Sequence, residues 1–218
     1  MLNVIFDVDG TLVDSDELDG KLFYQAVSDV LGEVRFREDW ADYPHVSDAG
    51  ILADILEDNG FAPGTGLETE VRSRFGTLIS GALSEAPCQA LPGATEAMDR
   101  LSQRAGTAVG VATGGWGHTA RAKLVSAGFQ TAAWTIASSD DHHERTSIMR
   151  SCVARLPDRG ERTVYFGDGM WDLRACEDLG WAFVGVGPRL NAIAPVWIEH
   201  YAWCDLEEVL QAALDQEP

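Results

Sequence analysis

The sequence predicts an α/β protein in which a doubly wound parallel sheet is interrupted by an all-helical insert. Three observations carry this. Short apolar runs rich in β-branched residues, at Leu2–Phe6, Ala108–Ala112, Thr163–Phe166 and Ala182–Val186, read as buried strands. From residue 91 onward, helical periodicity alternates with these runs, which implies parallel strands joined by right-handed crossovers. Between the first run and the second, residues 16–88 carry helical spacing and no good strand.

In chain order, Leu2–Phe6 is the first strand, and Ser15 is placed to cap a helix over Asp16–Leu31. Leu22, Phe23, Ala26, Val27 and Val30 recur there at helical spacing, and Gly32 ends it. The stretch Glu33–Val46 has no clear period. Ser47 then caps Asp48–Asn59, carried by Ile51, Leu52, Ile55 and Leu56, and Leu67–Glu85 is a third helix. After Pro92-Gly93 come a helix (94–104), a strand (108–112) and a helix (119–127). A short strand (133–137) and a helix (144–155) follow, then the strand Thr163–Phe166, a helix to Leu179 and the strand Ala182–Val186. A weak strand near His200–Trp203 and a helix over 206–214 close the chain. This order predicts a Rossmann-like sheet domain formed by 1–15 and 89–218, with 16–88 as a second, helical domain over the strand ends.

A chain of 218 residues can bury the core of one large domain, or of a domain with an insert. The net charge of −19, with Lys only at positions 21 and 123, argues against nucleic acid and against an anionic membrane surface as partners. Cys88, Cys152, Cys176 and Cys204 are too scattered for a zinc site and read as buried free thiols. No apolar run is long enough to span a bilayer, and with the first strand starting at Leu2 and an Asp at position 7 no secretory leader is expected. A reducing cytoplasm is the expected compartment.

The chemistry collects just after strand ends. Asp7 and Asp9 follow the first strand, one residue apart, with Gly10-Thr11 behind them. Period 2 sets both on one side of an extended chain, where two carboxylates repel unless a divalent cation or a proton compensates them. Thr113-Gly114-Gly115 follows a second strand; its glycines let backbone N–H groups approach an anion, although such turns also occur as plain connections. Arg145 opens a helix, where an ordinary solvated arginine would also stand. Gly167-Asp168-Gly169 with Asp172 suits a hard cation with oxygen ligands, or a plain helix cap.

Taken together, FDVDGT at 6–11, Thr113, Arg145 and GDGMWD at 167–172 resemble, in this order, the four motifs of the haloacid dehalogenase superfamily of phosphatases. The third position is Lys in most members and Arg in some. The helical block resembles that family's C1 cap. The resemblance implies a phosphatase acting on a small phosphate monoester. Asp7 would be the nucleophile that forms an aspartyl-phosphate, and Asp9 the general acid and base. It also implies Mg²⁺ held by the Asp7 carboxylate, the Asp9 carbonyl and Asp168, with Asp172 acting nearby through water or a neighbouring side chain. Thr113, Gly114 and Arg145 would hold the phosphate. Tyr43 and His45, between the cap helices, are candidates to contact substrate, with packing inside the cap as their plain alternative. Trp116 and His118 are placed to line the mouth of the site or to lie on the surface.

Four rivals share part of this pattern. A dehalogenase has no use for a second acid at Asp9. A phosphonate-cleaving relative needs a cap lysine, and Lys21 lies low in the first cap helix. A sugar-phosphate mutase shares all four motifs. A noncatalytic phosphate-binding or receiver-like module needs neither Asp9 nor a helical insert.

Overall fold

The computed structural model describes residues 1–216. In chain order its elements are β1 (Leu2–Phe6), β2 (Val13–Asp14), α1 (Asp16–Leu31), α2 (Asp48–Asp58), α3 (Leu67–Glu85), β3 (Gln89–Ala90), α4 (Ala94–Gln103) and β4 (Thr107–Ala112). They continue with α5 (Gly117–Ser126), β5 (Thr135–Ala137), α6 (Arg145–Arg155), β6 (Arg162–Gly167), α7 (Met170–Leu179), β7 (Ala182–Val186), β8 (Trp197–Ile198) and α8 (Leu206–Leu214).

Six strands form one parallel sheet in the order β5-β4-β1-β6-β7-β8. The chain runs from β1 through β4 to β5 on one side, then returns to β6 on the other. The direction of winding therefore reverses at β1, and a crevice opens at the carboxyl ends of strands at such a switch point. Register sets what meets there. Phe6 lies level with Val111 of β4 and Phe166 of β6. The residues just beyond, Asp7, Thr113 and Asp168, consequently emerge side by side.

Alternation along β1 supplies both cores. Val4 and Phe6 face one side with Met98 and Leu101 of α4, Leu124 of α5 and Leu210 of α8. Ile5 faces the other with Ile148, Met149 and Cys152 of α6 and Cys176 of α7. Phe6 stacks on Phe166 with ring centroids 4.7 Å apart. Each such side chain, fully withdrawn from water, stabilises the fold by about 1.5–3 kcal/mol.

Helices α1, α2 and α3 bury a third cluster, with Phe23, Ile55, Phe75 and Ile79 at its centre. Trp116, from the loop between β4 and α5, enters this cluster between Phe23 (5.9 Å) and Phe75 (5.6 Å). The sheet side thus plants an anchor in the helical block, so Trp116 is core rather than a rim of the site. Among the described residues no strand lies between β2 and β3. Those two pair antiparallel, Val13 with Ala90 and Asp14 with Gln89, and zip together the two points where the chain enters and leaves the block. Two-residue strands carry no readable period, so hydrophobic patterning does not announce them.

Other expectations are corrected. The strand placed near His200–Trp203 is instead Trp197–Ile198. His200–Trp203 is a turn: Tyr201 tucks against Phe6 and Phe166, while Trp203 is 96% exposed in a left-handed conformation. Its apolar letters imitate a strand but serve two different surroundings. Ser15 precedes α1 without capping it, because its hydroxyl is turned toward Asp9. Ser47 does cap α2, accepting from the Gly50 N–H at 3.2 Å. The cysteines are free thiols, and all but the half-buried Cys204 are buried.

Trp116→Ala should cost about 3–5 kcal/mol in equilibrium urea unfolding, because it removes a buried aromatic that the sheet side inserts into the core of the helical block. A loss below about 1 kcal/mol would show that the block is not packed on this anchor.

Candidate active site

The carboxyl edge of the sheet concentrates aspartates around a cavity of about 140 Å³. The sheet side contributes Asp7, Asp9, Thr113, Gly114, Arg145 and Asp168 to its walls. The sequence-predicted groups from the four strand ends are therefore brought together, apart from Asp172, which stands just behind.

Asp7 is buried at the tip of β1, its N–H donating to the Phe166 carbonyl at 2.9 Å. Arg145 donates from Nη2 to Asp7 Oδ2 (2.8 Å) and from Nε to Asp172 Oδ1 (2.7 Å). The other oxygen of Asp172 accepts from the Gly169 N–H at 3.1 Å. Asp172 thus enters the cluster by aiming the guanidinium, which leaves Arg145 Nη1 without a protein acceptor among the described residues. Thr113 Oγ1 accepts from the Gly115 N–H at 3.1 Å, and its own proton remains to be donated. Gly114 is required by closeness: a Cβ there would meet Arg145 Nη1 and lie 2.9 Å from the Val46 carbonyl.

Burial raises the Asp7 pKa to about 7; Arg145 lowers it in part, and Asp172 and Asp9 raise it further. Burial likewise holds Asp168 well above the usual carboxylate range, with Asp16 as its nearest charged cause. Buried Asp7 Oδ1 has no hydrogen-bond partner. One oxygen from each of Asp7, Asp168 and Asp172 falls within 4.8 Å of the others. An orphaned carboxylate oxygen among hard oxygen donors fits a divalent cation such as Mg²⁺, whose charge would offset the crowding. Gly10 keeps this corner open. Its φ is +70°, and a Cβ there would run into the carboxylates of Asp168 and Asp16.

Side chains that the sequence reading did not select for the site complete the charge pattern. Lys123, wholly buried on α5, donates to both oxygens of Asp9 (2.6 and 2.7 Å) and to Asp19 of α1. Burial alone would lower its pKa, but Asp19 and Asp9 outweigh this and raise it, so Lys123 is firmly cationic. Asp19 is pushed up to about 6 by burial despite Lys123. Ser15 Oγ donates to Asp9 Oδ1 at 2.5 Å, so Asp9 is held from two sides. Arg189 bridges Asp16 and Asp168 at 2.7 and 2.8 Å. A signal for Lys123 existed: it shares the buried face of α5 with Ala120 and Leu124, in a chain with one other lysine.

The helical block closes the far wall. Asp48 donates its N–H to the Gly114 carbonyl (2.8 Å) and accepts the Trp116 N–H on Oδ2 (2.8 Å). Ser47 Oγ donates to the His143 carbonyl at 2.6 Å. Tyr43 and His45 stand elsewhere. The Tyr43 ring is buried inside the block with its hydroxyl accepting from the Arg37 N–H, and His45 is exposed; neither lines the cavity. Their neighbours Ser47 and Asp48 do. His118 lies against Gly76 of α3, away from the cavity.

Lys123→Met should destabilise the protein by about 3–5 kcal/mol in chemical denaturation, because Asp9 and Asp19 would be left buried without their cation. A loss no larger than that of an exposed lysine would mean that the pairing contributes little. Gly114→Ala should weaken binding of inorganic phosphate about tenfold or more in calorimetry, by displacing Arg145 Nη1. Unchanged affinity would take Gly114 and the guanidinium out of the anion site.

A family model described as haloacid dehalogenase-like hydrolase matches residues 1–180. No curated protein matches the sequence. Among solved structures, the β-phosphoglucomutase (pgmB) of Clostridium difficile is similar at a TM-score of 0.75 and 17% identity, covering 99% of this chain and 98% of that one. A family IA, variant 3 hydrolase of Entamoeba histolytica gives 0.74 at 12% identity, covering 99% and 100%. CbbY of Rhodobacter sphaeroides, solved in complex with phosphate, gives 0.67 at 23% identity, covering 92% and 95%. These likenesses extend the agreement in fold to the whole chain. With the family match across most of its length, the chain belongs to the haloacid dehalogenase-like hydrolases.

Proposed function

We propose that the protein is a Mg²⁺-dependent phosphatase that hydrolyses small phosphate monoesters through an aspartyl-phosphate on Asp7. The observation that carries this reading is the different fixing of the two carboxylates. Asp7 is held by Arg145, beside an open guanidinium N–H and the Thr113 hydroxyl, whereas Asp9 is held apart by Lys123 and Ser15. A nucleophile beside anion donors and a second acid on its own support are what a two-step displacement needs.

In the first step an Asp7 oxygen attacks phosphorus while Asp9 gives its proton to the departing alkoxide, so the P–O bond breaks as the acyl phosphate forms. In the second, Asp9 takes a proton from water, the hydroxide adds to phosphorus, and phosphate leaves with the Asp7 carboxylate restored. Arg145 Nη1 and Thr113 Oγ hold the transferring oxygens, and the Gly114 backbone leaves room for them. Asp7, the Asp9 carbonyl and Asp168 would hold the cation, with Asp172 positioning Arg145 behind them. The cation supplies neutralisation of charge between carboxylate and phosphoryl group. Phosphate in the CbbY structure is consistent with an anion site in this fold.

Residues 16–88 act as a cap over a core of 1–15 and 89–218, and the Asp48 and Ser47 contacts to the loops at Gly114 and His143 are its closing contacts. The partner is a small molecule. The net charge of −19 supports no role in nucleic-acid or membrane-surface binding, and four free cysteines fit a reducing cytoplasm. No helix among the described residues is long and apolar enough to cross a membrane.

Rapid acid quench with a radiolabelled aryl phosphate tests the division of roles. The wild type should carry label on Asp7, and Asp7→Asn should carry none. Asp9→Asn should form the labelled intermediate from this easily departing leaving group and then hydrolyse it about 10²–10⁴ times more slowly. Label on another residue, or equal labelling of both variants, would overturn the assignment. Full activity after exhaustive EDTA treatment would remove the metal from it.

A further inference from the structure

The cavity wall facing Asp7 and Asp9 comes from the helical block. Among the described residues the block contributes Asp16, Asp19 and Asp48, with Phe23, Trp40 and Ile51 between them, and no Lys, Arg or His. The cations nearby are already committed. Arg145 serves Asp7 and Asp172, Lys123 serves Asp9 and Asp19, and Arg189 serves Asp16 and Asp168. Arg145 Nη1, an open guanidinium N–H, lies against Gly114 on the phosphoryl side, and Arg189, which holds both its acids through Nη1, keeps its remaining N–H groups in the corner of Asp16 and Asp168. Beside Asp19 and Asp48 the nearby cation is Lys123, whose ammonium is taken up by Asp9 and Asp19, and among the described residues none is left there to neutralise a second anion.

Resting on the phosphatase reading above, we propose that the substrate is a monophosphate whose leaving group is a compact alcohol bearing no anionic group, and that a second phosphate or a carboxylate is excluded by repulsion. An anion on the leaving group would be driven against Asp19 and Asp48 in a site with little water, where like charges cost far more than in solution. A hydroxyl or ammonium group meets the opposite reception. Asp48 Oδ2 is taken by the Trp116 N–H, but Oδ1 accepts from no protein donor among the described residues and is free to accept from the ligand. Phe23 and Trp40 offer aromatic surface to the carbon skeleton or to a cation. Discrimination here works by rejecting the wrong class.

The test is a matched panel of four esters: a polyol monophosphate, an aminoalkyl phosphate, a phosphocarboxylate of equal size and a sugar bisphosphate. We would measure kcat/KM with Mg²⁺ on the wild type, and dissociation constants by calorimetry on Asp7→Asn, which cannot turn the esters over. The first two should exceed the last two by about a hundredfold in both readouts. Asp48→Asn, which keeps an acceptor for the Trp116 N–H, should shrink that gap about tenfold. A phosphocarboxylate or bisphosphate used as well as the polyol ester overturns the proposal. If the wild type hydrolyses none of the four, nor an aryl phosphate, the phosphatase reading fails, and the calorimetric ranking still decides the charge rule. A level or inverted ranking, or no binding by any ester, counts against it.

Discussion

Seven aspartates converge on the carboxyl edge of the sheet: Asp7, Asp9, Asp16, Asp19, Asp48, Asp168 and Asp172. Withdrawing one carboxylate from water is expensive, and grouping several multiplies the expense, so the local structure is arranged around compensation. Arg145, Lys123 and Arg189 each span two acids, and in each case the acids come from different elements. The cations therefore act as struts. Arg145 ties β1 to α7, Lys123 ties the loop after β1 to α1, and Arg189 ties α1 to the end of β6. Removing any one would loosen a junction as well as change a charge.

The parts of the site written in the sequence are those where one local fragment holds the whole message. A buried run ending in Asp-x-Asp-Gly-Thr needs no partner to be understood, and neither does Gly-Asp-Gly with an acid three residues on. Parallel pairing of β1 with β4 and β6 then brings the fragments together at a register the apolar runs already imply. Lys123 and Arg189 were not legible in this way, because their meaning lies in partners distant along the chain, Asp9 and Asp19 for one, Asp16 and Asp168 for the other. Tyr43 looked available because the stretch 33–46 has no period. In the fold its hydroxyl finds a backbone N–H six residues back, and its ring sits beneath the Arg37 guanidinium at 4.8 Å. A polar aromatic in an aperiodic loop had a local use that the sequence did not display.

Closure of the block on the sheet depends on few atoms. The backbone of Asp48 and Gly114, the Asp48 carboxylate on the Trp116 N–H, and the Ser47 hydroxyl on the His143 carbonyl span the junction. Beneath them Trp116 supplies the apolar part of the contact. The loop that carries Thr113 is thus the same loop that receives the block. In the proposed mechanism phosphate binding and docking would share one backbone segment, which gives a direct route for one to influence the other.

The pairing of β2 with β3 bears on how such a protein diversifies. Because the exit and return strands are bonded to each other, the ends of the helical block are adjacent, and the chain passes between sheet and block through a single narrow stem. Topologically the block is a bead on a closed loop. Its length and internal sequence can change without disturbing the register of any strand in the main sheet. On the proposed function, reaction chemistry and choice of substrate would be inherited on separable pieces of chain, and new specificities could be explored on one while the other stays fixed.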